Sequence, residues 1–399
     1  MNSNRSRNAD VELPPSDLLR EPSGYQRSRL DGDATCPFRI ATPAETDLWD
    51  AYVDEHPKAS IFHTRQMVQV YSATHKHQPL AIAAVNQHGI PVAMIVSVHV
   101  KTLSGVVSRF ASRAIMFAEP ICNDDAEGIQ GLTKLLRYHD KWMKRRALFA
   151  EVRPIWESGS ERIALEKCGY HFLEYPNYVI DTTRTPDELW NALPTKFRSE
   201  INRARKRGVE IVEDSSSAGA QALYKLLQAS YGRSRVPLPD VSLLQSAIKY
   251  LPDDYRRLAI ANYQGRPVAG SLDLTFKGVV YGWYSGTERV SGLSANGLAN
   301  WTVIEWASRN GHRSFDFGGA GWPGEDYGPA SFKARFGGQL VHYGRYRKTY
   351  SPWKLWMAEK VYGLLRGVIA PRRKNTAECG LLPSQSFRLD PYPENRVKG

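Results

Sequence analysis

The feature that most restricts this chain is a segment that it carries twice. LAIAAVNQHGIPVA runs from Leu80 to Ala93, and LAIANYQGRPVA runs from Leu258 to Ala269. In each copy a β-rich run meets a Gln-x-Gly or Gln-Gly turn, and Pro-Val-Ala then opens the next run. Two such runs across a short glycine-containing turn spell a β-hairpin. Each hairpin is followed by the same order of signals: strand, helix, strand. These fall at 114–117, 131–145 and 148–152 in the first copy, and at 279–284, 295–310 and 314–317 in the second. One hairpin could recur by chance, but a hairpin with the same downstream order predicts a duplicated unit. The expected fold class is α/β (α+β), two similar halves that are each a mixed sheet flanked by helices.

Around this repeat the chain divides by composition. Residues 1–36 are rich in Ser, Asn, Arg, Asp and Pro without apolar periodicity and read as a disordered tail, as do residues 375–399. Between them we place a first half at 37–180, a second half with the active centre at 181–345, and an amphipathic helix at 346–374. The 53 basic and 41 acidic side chains leave +12, which favours anionic partners (nucleic acid, phosphorylated metabolites, an acidic membrane face) without choosing among them. The four cysteines, at 36, 122, 168 and 379, form no CxxC pair. That excludes a zinc ribbon or thioredoxin-like site and suits a reducing compartment. No signal-peptide core and no run of about 18 apolar residues is present, so a cytoplasmic protein is expected.

The densest chemistry lies in DFGGAGWPGEDYGPASFKARFGG, Asp316 to Gly338. Gly319, Gly321 and Gly324 formally satisfy GxGxxG. Pro323 inside the loop, the lack of a useful following helix and the lack of a later acidic residue exclude dinucleotide binding. Glycines let backbone N–H groups approach a ligand, and Lys333 adds one cation, a pairing suited to an oxyanion or phosphate in acyl transfer. The plain alternative is a glycine-rich bend with Lys333 on the surface. Asp316, Gly319 and Tyr327 are candidate substrate contacts. In KFRSEINRARKRGVEI, Phe197, Ile201 and Ala204 form a packing stripe, while Lys196, Arg198 and Arg203 are either phosphate or RNA contacts or a solvated face. Arg233 and Arg235 add positive charge in the same half. In Ser351–Lys374, Trp353, Trp356 and a cationic rim suit either an anionic membrane surface or packing back on the first half. No GxSxG elbow, Walker A, HExxH or EF-hand loop occurs, so no metal and no tightly held cofactor is expected.

The duplicated halves, FRSEINRARKRGVEI, FDFGGAG and SFKARFGG together resemble the FemAB/FemX family of peptidoglycan-bridge aminoacyltransferases, with tandem acetyltransferase-like (GNAT) halves, over about residues 40–365. The resemblance implies that Lys333 stabilises the tetrahedral oxyanion and Phe332 shapes the donor pocket. It implies a cell-envelope precursor or nucleotide-sugar acceptor, whose phosphates Arg233 and Arg235 would help hold, and aminoacyl-tRNA as donor. It also implies that the C-terminal strands and helix fold back on the first half, which supports the packing reading of Ser351–Lys374. Two departures stand out: Arg184–Tyr231 leaves no room for the long helical hairpin of some tRNA users, and Ser291–Ala299 does not match a clean acyl-CoA pyrophosphate loop. An acyl-CoA N-acyltransferase acting on an amino sugar or exopolysaccharide building block is the alternative enzyme. A non-catalytic RNA- or membrane-binding module is the alternative of another class. DNA is not an expected partner.

Overall fold

In the computed structural model, residues 38–101, 112–234, 238–324, 328–357 and Lys360 are described, excepting the side chains of Arg233 and Ser234. The first half opens with β1 (Arg39–Ala41), α1 (Trp49–Glu55) and α2 (Arg65–Ser72). The hairpin β2 (His77–Val85) and β3 (Pro91–Lys101) follows, with β4 (Ser112–Met116), β5 (Ile121–Cys122), α3 (Ala126–Met143), β6 (Phe149–Val152), α4 (Ser160–Lys167) and β7 (His171–Leu173). After β8 (Asn177–Asp181) the second half begins with α5 (Pro186–Ala192), α6 (Thr195–Lys206), β9 (Glu210–Glu213), α7 (Ser217–Ser234) and α8 (Val241–Tyr250). It continues with β10 (Arg256–Tyr263), β11 (Arg266–Phe276), β12 (Val279–Thr287), α9 (Ala295–Arg309), β13 (Ser314–Gly319), α10 (Gly328–Ala334), β14 (Gln339–Val341) and β15 (Arg345–Thr349).

Local chemistry explains the boundaries. Gln264 and Gly265 both take positive φ, as a two-residue hairpin turn requires. Thr185 and Glu188 close a capping box at the start of α5, with Pro186 in its first turn. Pro194 separates α5 from α6, and Gly208 leaves α6 at φ +84. Phe197, Ile201 and Ala204 are fully buried, as their spacing predicts.

The two sheets repeat one plan. The first runs β1-β2-β3-β4-β6-β15-β7, with β5 also on β3, and the second runs β9-β10-β11-β12-β13-β8-β14. In each, a hairpin leads to a strand that pairs parallel with the strand after the long helix: β4 with β6, β12 with β13. Each sheet is then completed by the other half. β8 leaves the first half and inserts antiparallel between β13 and β14. β15 returns from the second half and inserts antiparallel between β6 and β7. Residues 346–349 are therefore strand, where the sequence suggested the start of an amphipathic helix; 352–357 and Lys360 are helical among the described residues beyond β15. Both sheets fall within one compact unit that begins at Phe38. One apolar core runs continuously from α2 and β3 to α7, α8, β10, β11 and β12, and a second lies between α6, α9 and the other face of the second sheet.

Gly286 on β12 shows how closely α7 sits on its sheet. A Cβ there would lie 2.6 Å from both Leu226 C and Leu227 N, backbone atoms that cannot rotate away. Gly286→Ala is expected to cost about 1–3 kcal/mol through overpacking. Urea unfolding should show this as a lower midpoint with an unchanged slope.

Candidate active site

The parallel pairs of the two halves end at corresponding places. β4 and β6 are in register through Met116–Val152, and β12 and β13 through Tyr281–Asp316. The residues that follow line a single cleft of about 600 Å³, open solvent included: Phe117, Arg153 and Pro154 from one half, Gly282, Trp283, Gly318 and Gly319 from the other. Phe62 and Tyr281, with ring centroids 5.7 Å apart, form part of the wall between the halves. Arg345 and Asn177, from the exchanged strands, complete the lining.

Asp316 is the titratable group on the second-half side. Its Oδ1 accepts the Gly318 N–H at 2.6 Å, and Asn177 also donates to the carboxyl. Burial raises its pKa to about 6, against the lowering effects of those hydrogen bonds and of the Lys333 charge. Gly319 has no room for a side chain, because a Cβ would lie 2.1 Å from Tyr175 Cε1. Tyr175 in turn stacks under the Arg345 guanidinium at 3.5 Å.

Lys333 is 0% exposed. Its ammonium donates to the carbonyls of Phe317, at 2.8 Å, and Gly319, at 2.6 Å. Burial lowers its pKa to about 7, partly opposed by Asp316. The surface lysine of the plain alternative is thus ruled out, and the nitrogen expected at the oxyanion is instead engaged on the end of β13. Phe332 likewise departs from expectation. It packs against Phe197 and Phe336, at ring separations of 6.2 and 5.3 Å, as part of the second core rather than on the cleft.

The basic face of α6 is also elsewhere. Lys196 and Arg203 are exposed, and Arg198 donates to Asn191 and Thr195. None of the three lines the cleft. The Arg233 side chain, Arg235 and Tyr327 lie outside the described residues. Trp353 and Trp356 are each 59% exposed, so the described turn of the C-terminal segment does not bury them.

Arg153, Asn177 and Arg345 line the cleft and escaped sequence reasoning. Arg153 follows β6 as a lone arginine before a proline, with no motif to mark it. Glu119 sits in an ordinary loop, yet it is fully buried, with Oε2 accepting the Ile155 N–H at 2.9 Å and Oε1 without a protein partner. Burial pushes its pKa up to about 8.

Residues 195–333 match the family model described as an acetyltransferase (GNAT) domain. Among solved structures, that of FemX superimposes with a TM-score of 0.58 at 14% identity, covering 79% of this chain and 97% of FemX. A tandem GNAT protein from the clavulanic acid biosynthesis pathway matches at 0.51 and 12%, covering 79% and 98%. The C-terminal DUF2156 domain of an Agrobacterium fabrum protein, named for lysylphosphatidylglycerol synthesis, matches at 0.51 and 13%, covering 79% and 94%. No curated protein sequence matches the chain. Among the described residues no helix is long and apolar enough to cross a membrane.

A carboxyl held protonated by burial makes a pH-dependent contribution to stability. The folded form of Glu119 binds its proton up to about pH 8, whereas the unfolded chain releases it near the ordinary glutamate value of 4.5. Its contribution is therefore present below the unfolded value and is lost as pH rises through that window. Glu119→Gln needs no proton, so its Tm relative to the wild type should rise between pH 5 and pH 8 in parallel thermal melts.

Proposed function

We propose, for a chain with the FemX-like tandem GNAT acyltransferase fold, that the cleft joins an activated acyl group to an amine on a cell-envelope precursor, with Asp316 as the proton acceptor. The observation that carries this reading is the position of Asp316. It is a buried carboxyl with a pKa of about 6, on the strand end where β12 and β13 part and the cleft opens. A base poised near neutrality suits removal of a proton from an amine as it attacks. The nitrogen of the neutral amine forms a bond to the acyl carbonyl carbon, and the bond from that carbon to the leaving oxygen or sulfur breaks. Asp316 takes the proton that the nitrogen loses and returns it to the leaving atom. Holding the two reactants side by side supplies much of the remaining acceleration.

Lys333 is in this reading a positioning residue. Its two hydrogen bonds fix the carbonyls of Phe317 and Gly319, and so fix the strand end that presents Asp316. Its charge keeps Asp316 ionised at a lower pH than burial alone would allow. The donor we favour is aminoacyl-tRNA, on the resemblance to peptidoglycan-bridge aminoacyltransferases. The GNAT family match over 195–333 supports an acyl-CoA donor as the second reading. Side-by-side binding of aminoacyl-tRNA and acetyl-CoA separates them: tRNA binding that weakens steeply with salt supports the first, and saturable CoA binding alone replaces it with the second.

With the donor so identified, Asp316→Asn is expected to lower kcat about 10²–10⁴-fold. The wild-type rate should rise through about pH 6 and then level, as the carboxyl ionises. Retention of that rise in the variant would remove Asp316 from the reaction. Lys333→Met removes the cation that favours the Asp316 carboxylate, so the same rise should move to higher pH. A purely oxyanion-stabilising lysine would lower kcat without moving it.

A further inference from the structure

β6 and β15 run antiparallel, with Val152 and Tyr346 toward the cleft and Phe149 and Thr349 away from it. At that far end two segments converge on Leu148, whose carbonyl accepts the N–H groups of Tyr350, at 2.8 Å, and Ser351, at 3.3 Å. Asp140 ties them a second time: its carboxylate accepts from the Lys348 ammonium and the Tyr350 hydroxyl, each at 2.6 Å. The last turn of α3 and the chain after β15 are thereby held together. Residues 141–148 (KWMKRRAL) and 348–357 (KTYSPWKLWM) carry six cations and no carboxylate. Three tryptophans here each have a cation beside the ring. Arg146 lies 4.2 Å from the Trp142 centroid, Lys354 5.5 Å from that of Trp353, and Lys360 5.7 Å from that of Trp356. Lys141, Lys144, Arg145 and Arg146 are exposed, Trp142 is half-buried, and Trp353 and Trp356 are exposed.

We infer that this end of the first half docks on a bilayer that contains anionic phospholipid. An indole beside a lysine or arginine suits the boundary between water and lipid: the ring settles among the first acyl carbons while the cation stays with the headgroups. Charge complementarity selects the occupant. With no carboxylate on either segment, nothing there repels an anionic surface, and clusters of about 4–8 Lys and Arg are what such a surface attracts. Each exposed cation contributes little alone, and the attraction is their sum. RNA would meet the same cations, but the sequence that follows, 361–370 (VYGLLRGVIA), is largely aliphatic. Aliphatic side chains have no partner on a phosphate backbone and gain from acyl chains. The inference is independent of the acyl-transfer reading. Arg153 and Arg345 line the cleft at the opposite end of β6 and β15, so docking here leaves the cleft uncovered.

The test is co-sedimentation of the full chain with vesicles, either of phosphatidylcholine alone or of equimolar phosphatidylglycerol and phosphatidylcholine. Binding is expected to the anionic vesicles only, and it should weaken as salt is raised. Trp353→Ala with Trp356→Ala should lower the partition coefficient about tenfold or more, because two indoles lose their apolar burial. Lys144→Glu with Arg145→Glu should lower it by about tenfold or more as well, since each cation near the surface contributes about fivefold. All four side chains are exposed, so thermal melts of both double variants should match the wild type. Lost binding is then not lost fold. Equal binding to both kinds of vesicle, binding to neither, or full binding by either double variant overturns the inference. Where the wild type ignores vesicles, two results name the true occupant. tRNA binding that the same variants lose makes the face an RNA contact, and a dimer in sedimentation velocity that the tryptophan variant dissolves makes it a contact between copies of this chain.

Discussion

The structure depends on the exchange of one strand between its halves. A parallel pair such as β12 and β13 exposes the far edge of β13, and an open edge is a liability that a chain must cover. Here β8 covers it from the first half, and β15 covers the equivalent edge of β6 from the second. The exchange also delivers the polar partners of the cleft. Asn177, at the start of β8, donates to Asp316 in the second sheet, and Arg345, at the start of β15, binds Glu151 in the first. Each half therefore stabilises the ionisable group of the other. Neither sheet is complete, and neither carboxyl has its full set of hydrogen bonds, without both.

That arrangement lets a site with much buried charge persist. Glu151 is held well below the usual carboxylate range by its arginines, despite burial. Asp316 has fewer partners and a single nearby cation, so burial wins and its pKa rises. Glu119 has backbone N–H partners and a weaker influence from Lys58, opposed by the Glu161 charge, and rises further. Three buried carboxyls thus span a wide range of acidity because the charges and hydrogen bonds that oppose burial differ at each. Such separation is what assigns distinct proton-transfer roles to chemically similar groups.

Much of the fold could be read from the chain because the hairpin repeat is local: turn chemistry and alternation act within a dozen residues. The capped α5, the buried stripe of α6 and the strand–helix–strand order after each hairpin follow from the same short-range rules. Local signals did not show the strand exchange, since β8 and β15 are brief and their partners are distant in sequence; the return of the C-terminal strands to the first half followed only from the family resemblance. Without it, Arg345–Thr349 looked like the approach to a helix. The candidate site was legible only in part for the same reason. Asp316 and Gly319 belong to a dense local motif, whereas Arg153, Asn177 and Arg345 become neighbours only after two sheets have formed. Lys333 was recognised as important from its motif, but its role depends on which atoms its nitrogen meets, and a motif does not carry that.

Positive charge misled sequence reasoning in an instructive way. The cations that stand out in the sequence, along α6, are exposed, and an exposed ammonium or guanidinium is stabilised by water and contributes little to a fold or a specific site. The arginines beside Glu151 are scattered in sequence at 153, 345 and 347; the first two are buried and Arg347 nearly so. Removing their hydration costs far more than removing that of α6, so something must offset it. One carboxylate offsets part. Arg153 keeps one buried donor, Nη1, without a protein partner, and its side chain lines the cleft just beyond the β4–β6 parallel pair. In a chain that carries +12, the charge that can select a ligand is the charge that the fold has taken out of water.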